Sequence, residues 1–184
     1  MKRFICIAFV IILIFSSAAC TVVENDISSY DKNVKQYYAS SFMPSLDKIG
    51  NYQDISYTLI KNERIFATYS LKLIVKYNQQ VFQQEKERLN NAYTYINEPQ
   101  FDQYGSGFYT IPIAEFSDGK YNFKITKFED TTYPKNFGLV GISDETFEIA
   151  YLWLYDQDLD FICDKNSNEI KQMNEFLEYY FKWK

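Results

Sequence analysis

The chain has 184 residues, a formal net charge of −5 and no histidine. The missing imidazole removes the commonest general base, the commonest zinc ligand and the usual near-neutral proton switch. An acidic balance without Lys/Arg clusters argues against nucleic acid, and against an anionic lipid surface, as partners.

Residues 1–20, MKRFICIAFVIILIFSSAAC, carry the layout of an export signal. Lys2 and Arg3 precede an apolar run from Phe4 to Phe15, and Ser16, Ser17, Ala18 and Ala19 stand before Cys20. The apolar run is shorter than the roughly 20 residues that a bilayer-spanning helix needs. Small residues let an extended backbone enter a peptidase cleft, and a cysteine just after the cut offers a thiol for alkylation by a diacylglyceryl group. Ser17-Ala18-Ala19-Cys20 resembles the lipobox of bacterial lipoproteins, departing from it where Ser17 stands for the usual leucine. Lipidation of Cys20 is the expected outcome. Ordinary cleavage after Ala19 and an uncleaved anchor are the competing ones. Two acyl chains hold a protein at a membrane stably, where one chain is marginal. Without residues 1–19 the chain keeps 165 residues and, losing Lys2 and Arg3, a charge of −7. That length suits one domain.

Residues 20–29 read as a polar tether. Tyr30, Val34, Tyr37 and Tyr38 recur at helical spacing and predict a first amphipathic helix, broken at Phe42-Met43-Pro44. Ser45 is placed to cap a short turn carrying Leu46 and Ile49, which Gly50 ends. Ile55, Tyr57 and Leu59 alternate with polar residues, as do Leu71, Leu73, Val75 and Tyr77 with Ser70, Lys72 and Lys76. These are two half-buried strands around a polar turn at 61–64. Asn78 caps a predicted helix over 79–92, with Val81, Phe82, Leu89 and Tyr93 facing inward. The longest irregular segment follows at 97–107.

Tyr109, Ile111 and Ile113 on one side of Asp118-Gly119, and Tyr121, Phe123 and Ile125 on the other, signal a hairpin. A second hairpin joins 139–142 to 147–155. In its second strand Phe147, Ile149, Tyr151 and Trp153 share one face and Ala150, Leu152 and Leu154 the other, the mark of a central strand. Asn166 with Glu169 resembles a capping box for a last helix whose stripe is Ile170, Met173, Phe176, Leu177, Tyr180 and Phe181. Strands succeed one another without intervening helices. The expected class is α+β: a mainly antiparallel sheet of five or six strands packed on two or three helices, in one domain over 30–184. Most of the 17 Tyr, 16 Phe and 2 Trp fall on periodic positions, so they read as core.

Asp156, Asp158 and Asp160 form an Asp-x-Asp-x-Asp run like the start of a calcium loop. Phe161 stands where that loop needs glycine and Ser167 where it needs a closing glutamate, so a solvated turn is the plainer reading and a weak, irregular metal site the sharper one. Ser45-x-x-Lys48 has the form of a serine–lysine pair without the motifs that accompany one, and Gly105-Ser106-Gly107 lacks the Lys-Ser/Thr of a phosphate loop. No acid pair stands out for glycoside hydrolysis. Cys163 reads as a small buried residue if Cys20 is lipidated; a Cys20–Cys163 bridge is the alternative if Cys20 stays a thiol. The best ligand-binding candidate is the 97–107 loop with its rings Phe101, Tyr104 and Phe108, although a plain surface connection would look the same. No cofactor is implied.

Met43-Pro44-Ser45-Leu46, Gly50-Asn51-Tyr52-Gln53-Asp54-Ile55 and Gly138-Leu139-Val140-Gly141, with Glu148-Ile149-Ala150-Tyr151-Leu152 running on to Asp156-Gln157-Asp158-Leu159-Asp160, carry a resemblance. They are similar to blocks in uncharacterised lipoproteins and hypothetical proteins of low-GC Gram-positive bacteria. The resemblance implies export and brings no activity with it. The expected protein is a non-enzymatic binding or accessory module, lipid-anchored through Cys20 on the outer face of the cytoplasmic membrane. Its partners would be membrane lipid and a protein or glycan. Two other classes stay open: an inhibitor or immunity-type protein for a secreted enzyme, and a histidine-free, carboxylate-based hydrolase of cell-wall glycans. Secretion is the alternative location.

Overall fold

Period-2 alternation and short turns build one large antiparallel sheet with both faces covered. The computed structural model describes residues 21–63, 65–102 and 107–183; the leader, Cys20 and Tyr104 lie outside them. The first half contributes β1 (Val22–Glu24), α1 (Tyr30–Gln36), β2 (Asp54–Glu63), β3 (Ala67–Lys76), α2 (Gln79–Ala92), β4 (Thr94–Tyr95) and β5 (Gln100–Phe101). The second half adds β6 (Phe108–Ile111), β7 (Glu115–Asp118), β8 (Tyr121–Lys127), β9 (Asn136–Ser143), β10 (Glu148–Asp156), β11 (Cys163–Asp164) and α3 (Glu169–Phe181). Eight strands make the main sheet in the order β1-β2-β3-β10-β9-β8-β4, with β7 also on β8; β11, β6 and β5 form a small second sheet.

β10 is central, paired along its length with β3 and β9. Its Ile149, Tyr151 and Trp153 join Tyr57, Leu59, Leu71, Leu73 and Val75 beneath α1 and α2, where Tyr30, Val34, Phe82 and Leu89 meet them. Its Ala150, Leu152 and Leu154 join Phe123, Ile125, Phe137 and Leu139 beneath α3, which supplies Met173, Phe176, Leu177 and Phe181. Each face of the sheet therefore carries its own apolar cluster under a helical layer. Gly138 lets the Phe42 ring lie against the strand, since a Cβ there would come 2.6 Å from the ring. Beneath α2 the buried Glu85 is answered by Arg88 at 2.8 Å, and Arg88 donates on to the Tyr151 hydroxyl at 3.3 Å.

The α+β class stands, and the strands outnumber the five or six expected. Much of the excess lies in pieces too short to show alternation. The expected tether is one of them: Val22, Val23 and Glu24 pair with Lys61, Ile60 and Leu59, so β1 forms on an edge that β2 supplies. The arm of the Asp118-Gly119 hairpin is β7, not the 109–113 run, and Gly119 takes the positive φ of 58° that the turn requires. β6 stops at Ile111 because Pro112 has no N–H for a ladder. Tyr38 leaves the expected stripe: α1 ends at Gln36, and Tyr38 sits in the left-handed region, 84% exposed.

Helix 79–92 forms as expected, Asn78 Oδ1 accepting from the Val81 amide at 3.0 Å. The cap of α3 is Asn168, accepting from the Lys171 amide at 2.9 Å; Asn166 instead donates its own amide to Asp164. Ile170 of the expected α3 stripe is exposed. Ser45 flanks the turn Leu46–Lys48 without capping it, and Asp31 accepts from the Leu46 amide at 3.1 Å. Cys163 is a buried, free thiol. Among the described residues no helix is long and apolar enough to cross a membrane.

Candidate ligand groove

The small sheet brings four aromatic rings into two contacts. Phe101 of β5 and Tyr109 of β6 are opposite one another, their ring centroids 4.9 Å apart. Phe108 stacks on Phe161 at 4.2 Å, because the pairing of Asp164 with Phe108 and of Cys163 with Tyr109 brings the 161–164 segment alongside β6. The amides of Ile162 and Lys165 seal that junction on the carbonyls of Tyr109 and Gly107, at 2.9 and 3.0 Å. Phe101 and Phe161 remain 54% and 46% exposed, so these ring pairs keep open edges and faces. The Lys165 ammonium lies 4.7 Å from the Phe101 ring centre, a cation–π distance.

Between these rings and the 132–135 segment runs an open groove of about 720 Å³, lined among others by Phe101, Phe108, Thr110, Tyr133, Lys135 and Phe161. The Tyr133–Pro134 peptide bond in its wall is cis. Tyr133 donates its hydroxyl to the Thr126 carbonyl at 2.7 Å, and burial pushes that phenol's pKa well up. Lys135 is tied to Asp160 at 3.1 Å and to the Gln157 carbonyl at 3.2 Å. The floor is thus apolar and planar, and its rim carries an amide, hydroxyls, a cation and carboxylates. Such a surface suits a flat, partly apolar ligand with polar edges.

The structure brings Phe101 and Phe108 to one groove; Tyr104 lies outside the described residues. It also adds Tyr133, Lys135 and Phe161, none of which the sequence marks as a ligand-binding residue, and sets Tyr109 behind Phe101. Two-residue strands carry no readable pattern, and β6 is separated from β11 by more than fifty residues. A phenylalanine directly after the aspartate run, at the position where a calcium loop needs glycine, is the one oddity the sequence shows there.

Two of the aspartates of that run, Asp156 and Asp160, turn to different partners. Asp156 is buried and accepts from Thr68 at 3.2 Å, Tyr180 at 3.0 Å and the Asp158 amide at 2.9 Å. Asp160 pairs with Lys135. Among the described residues no group of three His, Cys, Asp or Glu side chains is placed to hold a metal ion.

A second groove, about 480 Å³, opens at the other end of the strands beside Asp54, Lys76, Asp118, Tyr121, Glu148 and Trp183. Burial by itself would raise the Glu148 carboxyl, but Lys120 at 2.7 Å, the Tyr121 hydroxyl at 2.5 Å and Thr146 outweigh it and hold the group below its ordinary range. A proton donor for glycoside cleavage needs the opposite shift. Glu148 is built as an ion-pair partner.

No family model matches the chain, and neither does any curated protein or solved structure.

Proposed function

We propose that this protein is an exported, lipid-anchored, non-enzymatic binding module that takes a glycan in the aromatic groove. The single observation behind the reading is the pair of half-open ring contacts, Phe101–Tyr109 and Phe108–Phe161, beside a polar rim. Ring faces hold the C–H faces of a sugar, while amide, hydroxyl and charged groups beside them take its hydroxyls. The leader pattern ending in Cys20 supports a place on the outer face of the cytoplasmic membrane.

The test begins with the intact mass of protein extracted from the membranes of its host. A lipid-sized increment on a chain beginning at Cys20 is expected. A panel of neutral and wall-derived oligosaccharides is then titrated against the extracted protein. Phe161→Ala and Phe101→Ala each weaken the best binder about tenfold, as loss of one ring platform does. An unmodified chain in the culture medium overturns the anchor. Absence of saccharide binding, with a protein captured through the same rings, replaces the glycan by a protein partner.

A further inference from the structure

β1 has consequences for the anchor. Its register, Val22 opposite Lys61, sends the chain backward along β2 toward the tip of the β2–β3 hairpin. Thr21 borders a small depression of about 180 Å³ with Asn62, Tyr179 and Lys182. An adjoining depression of about 340 Å³ shares Asn62 and Tyr179 and extends to Ile65 and Phe66 at the hairpin tip. Consecutive Cα atoms lie about 3.8 Å apart, so an anchor at Cys20 leaves a single residue, Thr21, between the lipid and the sheet. No slack holds the domain away from the bilayer.

Beside that attachment point three large apolar and aromatic side chains stand open to solvent. Ile65 is 86% exposed, Phe66 46% and Tyr179 of α3 70%. We infer that the β2–β3 hairpin tip, Ile65-Phe66, together with Tyr179, is a membrane-docking surface that sits in the interfacial layer of the bilayer to which Cys20 is tied. The inference rests on the lipid-anchor reading and adds the orientation of the domain. Aliphatic and phenyl side chains bury in that layer, and tyrosine rings prefer the headgroup level. The charges that flank the patch in sequence or border it are balanced, Lys61, Arg64 and Lys182 against Glu63, Asp158 and Glu178, so docking follows apolar area and needs no anionic lipid. The occupant is therefore lipid, delivered by the chain's own N-terminus.

The experiment uses the full chain expressed with its own leader, in cells stripped of their wall. Ile65→Cys and Phe66→Cys report on the tip. Ser117→Cys on β7 is the control, at the opposite edge of the sheet and the opposite end of its strands. A membrane-impermeant maleimide is reacted with each, before and after detergent, and the intact mass is read in parallel. The buried Cys163 contributes little background. The expected result is labelling at 65 and 66 about fivefold slower on cells than in detergent, with Ser117→Cys unchanged. Equal rates at the tip on a lipidated chain overturn the docking surface and leave the anchor standing. Slow labelling that persists in detergent assigns the patch to a protein and also overturns it. A mass without lipid, on a chain released from the cells, removes the anchor and the docking surface with it.

Discussion

Glu148 shows how one side chain can be costly to bury and still stabilise the fold. Lys120, Tyr121 and Thr146 hold it ionised inside the rim of its groove, below the ordinary glutamate range. In the unfolded chain the carboxyl returns to about 4.3, so as pH falls the unfolded state takes up the proton first. The contribution is complete above that unfolded value and disappears as pH drops through the lower, folded one. Glu148→Gln should cost about 1.5–3 kcal/mol at neutral pH, the usual worth of hydrogen bonds to a charged group. It should also flatten the fall in thermal midpoint below about pH 4.3, where the unfolded chain takes up the proton before the folded one does. Thermal unfolding followed across that acid range distinguishes this from a mere packing defect, which would shift both limbs equally. Nothing in the sequence marked Glu148, which sits at the polar start of an apolar strand. Phe101 and Phe108 were visible as rings in an irregular, glycine-hinged stretch, whereas Phe161 gained its place only through pairing remote in sequence.

Elements whose ends are set locally were legible. Helix 79–92 and its Asn78 cap need only neighbouring residues, and the two-sided β10 announces itself by the unbroken apolar and aromatic run from Ile149 to Tyr155. Elements that borrow their stability were not: β1 leans on β2, and β5 and β11 lean on β6. The end of α3 makes the same point from its other terminus. Ser70 and Lys72 alternate with Leu71 and Leu73 and read as a solvent face, yet Ser70 is buried. Its hydroxyl donates to the Tyr180 carbonyl at 2.6 Å, and Lys72 Nζ donates to the carbonyls of Phe181 and Lys182 at 2.8 and 3.0 Å. β3 thereby caps the carboxyl end of α3, where a cation also complements the helix dipole. Burial lowers the Lys72 pKa, and Glu178 partly restores it. Lys72→Met keeps an unbranched apolar side chain but removes the donor and the cation that lies 5.8 Å from the Trp183 ring centre, so it should destabilise by about 1 kcal/mol. Amide hydrogen exchange should quicken in the last turn of α3 before the rest of the helix; uniform quickening would deny the capping role.

Across the whole molecule, the start of β1, the hairpin tip and the aromatic groove share one end of the strands. Asp156 at the end of β10 lies opposite Thr68 at the start of β3, and the Gln157 amide donates to the Ala67 carbonyl at 3.0 Å. The next residues divide the two surfaces: Asp158 and Leu159 border the depression that reaches Ile65 and Phe66, while Asp160 and Phe161 line the groove. A domain seated on its hairpin tip would therefore offer its groove close to the bilayer, and the length of chain between Cys20 and β1 sets that height. Ten Gly/Ser residues inserted between Cys20 and Thr21 would span about 17 Å on average, more than the interfacial layer is deep. A few exposed side chains at the lower effective concentration of a long linker should not keep the tip docked. Labelling of Phe66→Cys on wall-stripped cells should then rise to its rate in detergent, while the lipid increment in the mass and the affinity of the extracted protein for saccharide stay as they were. If labelling stays slow despite the insertion, the short tie at Thr21 is not what holds the hairpin down, and the geometry argued from β1 loses its function.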